Sequence, residues 1–224
     1  MELGTIKKRI MSGGECDMKI IDKENWDRLA HFNVHSQRDV PIYGITVDID
    51  VTNLKNVAKE KGISFYYALV YLVTESLDSI ENFRYKIQGD EVVLYDELIP
   101  SFTDMGKGET LYKGVTLEKG EDLELFCKRA KKLSDEQTEY FPEIEFPLDQ
   151  LIHFSMVPWL NFTAFKNQFY IDKDDSIPKV TMGKYVEKEG RLQLPLSIEV
   201  NHRLVDGYHL GLFYETLTRK IAEL

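Results

Sequence analysis

A histidine followed by an aspartate–glycine turn ends an apolar stretch of the sequence, and this group is the best candidate for acid–base chemistry. His202 follows residues 194–200, in which every second position is leucine, isoleucine or valine, and Asp206-Gly207 comes shortly after it. In an extended strand, residues of one parity point to the same face, so the pattern predicts that the His202 side chain is carried towards the interior. A desolvated imidazole tends to stay neutral at pH 7, as a general base must. The alternative interpretation is a core histidine with satisfied ring nitrogens.

A serine is the second candidate, because acyl transfer needs a donor for the charge that develops on the tetrahedral oxygen. Ser155 lies in an apolar run just before Pro158-Trp159, where a buried hydroxyl needs a partner. A nucleophilic serine is the rival role, although the Gly-x-Ser-x-Gly sequence of a nucleophile elbow is absent. A strand serine bonded to nearby backbone is the third interpretation. His153 shares the parity of Ser155 and is a rival base, or a pocket residue, without the aspartate–glycine turn.

Hydrophobic periodicity predicts the elements that position these residues. Apolar alternation predicts strands at 42–51, 83–87, 92–95, 110–117, 151–157, 179–187 and 192–202. Helical spacing predicts helices at 22–37, 65–79, 122–133 and 208–224, and a short one between Thr52 and Gly62. Because strands and helices alternate irregularly, we expect an α/β fold: a two-layer sandwich of a mixed sheet packed by helices.

Composition bounds the class of protein. The length of 224 residues and a hydrophobic content of 43% predict one globular domain over residues 1–224. The net charge of −10 argues against nucleic-acid binding. Cys16 and Cys127 have no CxxC spacing, so neither a disulfide framework nor a zinc site is expected. The polar first residues and the lack of a long apolar run predict a cytoplasmic chain without a membrane partner.

Another pair of histidines has the spacing of metal ligands. His31 and His35 stand four residues apart, which can present two ligands on one helical face. The helix of zinc proteases needs a glutamate directly after its first histidine, and this chain has Phe32 there. No metal is expected.

Five sequence blocks, taken together, identify a family. The blocks are Asn25-Trp26-Asp27-Arg28-x-x-His31-Phe32, Phe102-Thr103, Ser155-x-x-Pro158-Trp159-x-Asn161-Phe162, Thr181-Met182-x-Lys184-Tyr185 and His202-x-x-x-Asp206-Gly207. They occur in the order and at about the spacing of chloramphenicol acetyltransferases, over residues 20–222. The chain therefore resembles that family of coenzyme A-dependent acyltransferases.

The resemblance implies a fold and a set of roles. It implies the two-layer fold of that family, acetyl-CoA as cosubstrate, and direct attack by a small hydroxyl-bearing acceptor, with His202 as base and Ser155 as oxyanion donor. It assigns Asp206 and Arg28 to a supporting ion pair, although Asp206 could also orient the base. It assigns Thr181 to holding a water near the transition state, and a plain strand residue is the alternative. It also implies a homotrimer with active sites between subunits.

The positions that match the family's acceptor pocket depart from its pattern. Val34 and His35 stand where an aromatic residue and a tyrosine are usual, Ile42 replaces a small residue, and Lys179 replaces an aliphatic one. His153 is expected to face the same pocket. Lys179 could neutralise an acidic acceptor or extend into solvent. Chloramphenicol is the acceptor that the resemblance names. Another small hydroxyl or amine acceptor, or a catalytically silent protein of the same fold, are the alternatives.

Overall fold

The computed structural model of the chain describes residues 9–11, 14–16, 18–168 and 171–224, with side chains from residue 18 onward. The expectations that rest on the first residues and on the Cys16 side chain lie outside this part. The strands are β1 Arg9–Met11, β2 Gly14–Cys16, β3 Met18–Ile20, β4 Ile42–Asp50, β5 Tyr85–Gln88, β6 Glu91–Tyr95, β7 Ile99–Asp104, β8 Lys113–Thr116, β9 Leu151–Val157, β10 Lys179–Gly183, β11 Val186–Lys188 and β12 Arg191–Asn201. The α-helices are α1 Leu29–Ser36, α2 Thr52–Glu60, α3 Phe65–Asp78, α4 Glu81–Arg84, α5 Leu123–Glu136 and α6 Gly207–Ala222.

A seven-stranded mixed sheet organises the fold. Its order is β11-β12-β10-β9-β7-β8, and β4 pairs with the other side of β12. Strand β9 runs parallel to both of its neighbours, whereas the remaining pairs are antiparallel. Strands β3, β6 and β5 form a second sheet, and β1 pairs with β2. The predicted α/β class with a mixed sheet is therefore confirmed.

The two faces of the large sheet differ in polarity, and this difference explains the layering. Phe154, Val180 and Ile198 lie side by side on β9, β10 and β12, each no more than 2% exposed. They belong to the core that the helices cover, with α3 packed between α5 and α6. One position further along, the row reads Ser155, Thr181 and Ser197. Because successive strand residues point to opposite faces, this polar row lies on the side away from the helices.

One helix prediction at the candidate site is wrong, and one strand prediction there extends one residue too far. The predicted helix at 22–37 is a short 3₁₀ turn followed by α1, because Trp26 adopts an extended conformation and packs edge-on against Tyr85, with ring centroids 5.2 Å apart. Strand β12 ends at Asn201, so His202 lies in the turn beyond it.

Other predicted elements differ mainly in length. Strands β4 and β9 and helices α3 and α6 match to within two residues at each end, and Ser64 accepts a hydrogen bond from the Tyr67 N–H as the expected cap of α3. The strand predicted at 110–117 is shorter than expected, because only β8 forms there. The strand predicted at 179–187 is divided into β10 and β11. No helix in the described part of the chain has the length and apolar character needed to span a bilayer.

Candidate active site

The His202 ring lies between two other rings rather than deep in the core. It stacks on His35 with centroids 3.8 Å apart and planes at 15°, and Tyr43 covers it at 4.3 Å. Its backbone N–H donates to the Pro41 carbonyl. The side chain is 35% exposed. The prediction that strand parity carries His202 inside is wrong, because β12 is buried on both faces from 194 to 201 and the histidine lies past its end.

An ion pair holds the turn that carries His202. The two terminal nitrogens of Arg28 donate to the two carboxylate oxygens of Asp206 at 2.6 and 2.8 Å, and Nε donates to the Arg203 carbonyl at 2.8 Å. Nη2 also donates to the carbonyl of His202 at 3.2 Å. Arg28 is 8% exposed. The 3₁₀ turn ends before Trp26, and Arg28 is the residue that directly precedes α1. The expected pairing of Arg28 with Asp206 is therefore present.

Asp206 is further fixed at the start of α6. Its backbone N–H donates to Nδ1 of His209 at 2.9 Å. The hydrogen bonds from Arg28 are the main cause that holds the pKa of the Asp206 carboxyl below its usual value. Asp206 is thus a fixed negative charge next to Nδ1 of His202. His209, which sequence reasoning gave no role, anchors it.

The inner nitrogen of His202 faces this carboxylate. Nδ1 lies 3.2 Å from Oδ1 of Asp206, but the approach falls outside hydrogen-bond geometry, so buried Nδ1 has no partner in the described part of the chain. Burial and the adjacent His202 hold the pKa of His35 below its usual value, with burial the larger cause.

The grouping of His35, His202 and Asp206 does not fit a metal ion, although their ligand atoms lie within 4.8 Å of one another. Imidazole lone pairs lie in the ring plane, and near-parallel stacked rings direct them side by side rather than towards one point. The Asp206 oxygens already bind Arg28.

Ser155 lies elsewhere, in a cleft of about 1030 Å³ that we call the acceptor cleft. His153, Ser155 and Lys179 line it, as do aromatic side chains of the segment between α5 and β9. Ser155 is half-buried. His202, Val34 and Ile42 are not among the described residues that line it. Val34 is 56% exposed on α1, and Ile42 pairs with Asn201 where β4 begins.

Thr181 lies beside Ser155 and belongs to a polar network. Its hydroxyl donates to the side-chain oxygen of Asn167 at 3.1 Å, and the Asn167 amide donates to Glu199 at 2.7 Å. Thr181 is fully buried. Asn167 and the ring-covering Tyr43 were both missed from the sequence. Tyr43 lies next to the predicted pocket residue Ile42, whereas no sequence signal marks Asn167.

Lys179 and His153 meet on one wall of the cleft, in paired positions of β10 and β9. Lys179 forms an ion pair with Asp175 and is 13% exposed, so it does not extend into solvent. Desolvation by the surrounding residues, and secondarily the Lys179 charge, lower the pKa of His153 below its usual value, although the residue is exposed at the cleft surface. His153 therefore favours the neutral form.

A single chain does not bring Ser155 and His202 together. Ser155 pairs with Thr181, which pairs with Ser197. Two strand spacings of about 4.8 Å and five residues at about 3.3 Å each then separate the Cα atoms of Ser155 and His202 by about 19 Å. One chain alone therefore does not place the two side chains within reach of one substrate.

Comparisons with known proteins agree with this fold. The profile of the family described as chloramphenicol acetyltransferase matches residues 16–218. A Staphylococcus aureus chloramphenicol acetyltransferase is 31% identical over 199 residues, 87% of this chain and 94% of the relative. Chloramphenicol acetyltransferase 3 of Escherichia coli is 29% identical, covering 88% and 93%. A solved chloramphenicol acetyltransferase structure superposes with a TM-score of 0.81 at 28% identity, over 91% of this chain and 99% of the other. The chain therefore belongs to the chloramphenicol acetyltransferase family, a family of acyltransferases that use acetyl-CoA.

Proposed function

We propose that the protein is an acetyl-CoA-dependent O-acetyltransferase of the chloramphenicol O-acetyltransferase type, with His202 as general base. The observation that carries the proposal is the geometry of His202: its ring is held by stacking on His35 and by the loop that Arg28 and Asp206 fix. Because Nδ1 is buried against Asp206, the outer nitrogen Nε2 is the one that accepts the proton of an acceptor hydroxyl. Use of acetyl-CoA is the reason we assign the reaction to the cytoplasm.

The reaction follows from these groups. Nε2 removes the hydroxyl proton while the oxygen attacks the thioester carbonyl, and the carbonyl electrons move onto the oxygen. The Ser155 hydroxyl donates to that oxyanion. The carbonyl re-forms, the carbon–sulfur bond breaks, and the imidazolium returns its proton to the coenzyme A thiolate. Base assistance is worth about 10²–10⁴-fold, and one oxyanion donor about 10²–10³-fold.

The distance of about 19 Å within one chain supports a site shared between chains. We propose a homotrimer in which His202 of one protomer faces the acceptor cleft of its neighbour. The polar network of Thr181, Asn167 and Glu199 would then lie beside Ser155 in one protomer. In the other protomer, Arg28 and Asp206 act as positioning residues for His202.

One assay tests the activity: thiol release from acetyl-CoA is followed with chloramphenicol and with other hydroxyl and amine acceptors. Turnover of chloramphenicol that is lost in His202→Ala is the expected result. Turnover of another acceptor, but not of chloramphenicol, would support the second candidate function, acyl transfer to a different small hydroxyl or amine acceptor. The ion pair between Lys179 and Asp175 favours that candidate. No turnover by the folded protein with any acceptor would contradict catalysis.

Mixed assemblies test the shared site. Chains carrying His202→Ala and chains carrying Ser155→Ala are each expected to be nearly inactive. Coexpressed in equal amounts, they should form trimers in which about a quarter of the sites are intact, since each site takes its base and its serine from different protomers. Inactive mixed trimers, with mixing shown by native mass spectrometry, would refute the shared site.

A further inference from the structure

The acceptor cleft carries an uneven set of charges. Glu143 and Glu145 line it with exposed side chains, and Asp104 lines it as well. Lys179 is the only lysine or arginine among the described residues that line it. The cleft therefore has two exposed carboxylates, and a third that accepts hydrogen bonds from Tyr67 and Ser134, against one ammonium group, in a protein of net charge −10.

The single ammonium group is already compensated. Lys179 pairs with Asp175, and both side chains are less than one-fifth exposed, at 13% and 17%. Desolvation and the neighbouring Lys179 charge lower the pKa of His153, which is exposed at the cleft surface beside Lys179, and so favour its neutral ring. An anionic acceptor would therefore meet no free cation on this wall, and it would also face Glu143 and Glu145.

Exposed aromatic side chains also line the cleft. Tyr112, Phe141 and Trp159 are 50%, 67% and 65% exposed, and Tyr112 meets Phe141 edge-on with centroids 5.7 Å apart. Aromatic faces attract organic cations as well as apolar groups. Carboxylates next to such faces select for positive charge, since a cation gains from both.

From this lining we propose that the preferred acceptor is a hydroxyl-bearing organic cation, a protonated amine attached to an aromatic or apolar body. The inference rests on the proposed function, because it names the acceptor class of the same site. The hydroxyl is placed near Ser155, and the ammonium group lies towards Glu143 and Glu145 at the cleft wall.

Three acceptors that share the nitrophenyl diol body of chloramphenicol and differ only at nitrogen test this. Chloramphenicol itself is neutral, the dimethylamino derivative is cationic and cannot be acylated at nitrogen, and the succinyl amide is anionic. We expect kcat/KM for the cation to exceed that for the anion by about tenfold, a gap that shrinks as salt screens the carboxylates.

The double variant Glu143→Gln/Glu145→Gln should bring the two values to within about twofold. Glu187→Gln is the matched control, since Glu187 is exposed on β11 and is not a lining residue. Equal kcat/KM for cation and anion in the wild type, or a cation preference that persists in the double variant, would overturn the inference.

Binding separates this inference from the proposed function. If no acceptor turns over, isothermal calorimetry with the dimethylamino and succinyl derivatives still tests the charge preference. Tighter binding of the cation that disappears in the double variant supports it although catalysis has failed. Equal binding of both derivatives, or binding of neither, contradicts it.

Discussion

Replacing Arg28 with methionine removes the group that ties α1 to the loop after β12. The guanidinium gives two hydrogen bonds to Asp206 and one each to the carbonyls of Arg203 and His202. Breaking a buried ion pair from one side costs about 3–5 kcal/mol. Asp206 is 27% exposed, so water can partly replace the lost partner. We therefore expect Arg28→Met to lower the free energy of unfolding by about 2–4 kcal/mol.

Urea denaturation at pH 7 and fixed protein concentration measures this loss, because the stability of an oligomer depends on concentration. The melting temperature should fall by about 5–15 °C. Arg191→Met is the matched control: Arg191 pairs with Asp50 at 3.0 Å but is 70% exposed, so its loss should cost less than about 1 kcal/mol. The double variant Arg28→Met/Asp206→Asn should be less destabilised than the sum of the single variants, because no charge is left unpaired.

Acid should narrow the difference between wild type and Arg28→Met to the part that the hydrogen bonds from Arg28 to the carbonyls of Arg203 and His202 contribute. The pKa of Asp206 is lowered from 3.8 in the folded protein, mainly by the hydrogen bonds from Arg28. The stabilisation is therefore complete above the unfolded pKa and is lost as pH falls through the folded one. A stability gap that does not narrow as pH falls well below 3.8, or an Arg28→Met protein as stable as the wild type, would refute this reasoning. An Asp206→Asn protein with unchanged melting but no activity would instead indicate a direct catalytic role for Asp206.

Three further predictions concern other groups. Ser155→Ala should lower kcat by about 10²–10³-fold with little change in KM, measured by thiol release; a change in KM alone would indicate a binding role. His35→Phe keeps a ring against His202 and should retain more kcat than His35→Ala, and equal losses would mean that stacking does not position the base. The buried Lys86 donates to the carbonyls of Phe83 and Ser176, and burial lowers its pKa to about 7. Because the unfolded lysine holds its proton to higher pH, the free energy of unfolding should rise from pH 7 towards pH 10. Urea titrations should show that Lys86→Met loses this rise, and a rise that persists in the variant would assign it to other groups.

Local patterns predicted the elements whose causes are local. Strand β9 matches its predicted bounds because an apolar run ends there on both sides, and α3 begins where Ser64 caps it. The break before Arg28 was missed because its cause is a distant contact, the packing of Trp26 on Tyr85. Parity misplaced His202 because β12 is buried on both faces, so alternation carries no information there.

The residues around the base show a second limit of sequence reasoning. The pairing of Arg28 with Asp206 was predicted only through the family resemblance, because 178 residues separate them. The stack of His35 on His202 joins α1 to the end of β12, and no periodicity links those positions. Asn167 reaches Thr181 from an irregular segment, which hydrophobic patterns do not describe.

The sheet explains why the candidate site is divided. Ser155, Thr181 and Ser197 are fixed in one row by backbone pairing, and His202 follows the end of the strand to which Ser197 belongs. A change of rotamer moves a side-chain tip by only a few ångströms, so it cannot close a gap of about 19 Å set by strand geometry. A shift of β12 along β10 would have to be by an even number of residues, so that its apolar residues still face the helices. Such a shift would also break the pairing of β12 with β4. The fold of one chain therefore excludes the complete site. If the protein is the acetyltransferase that we propose, its base and its oxyanion donor must come from different protomers, and assembly is then part of the catalytic machinery.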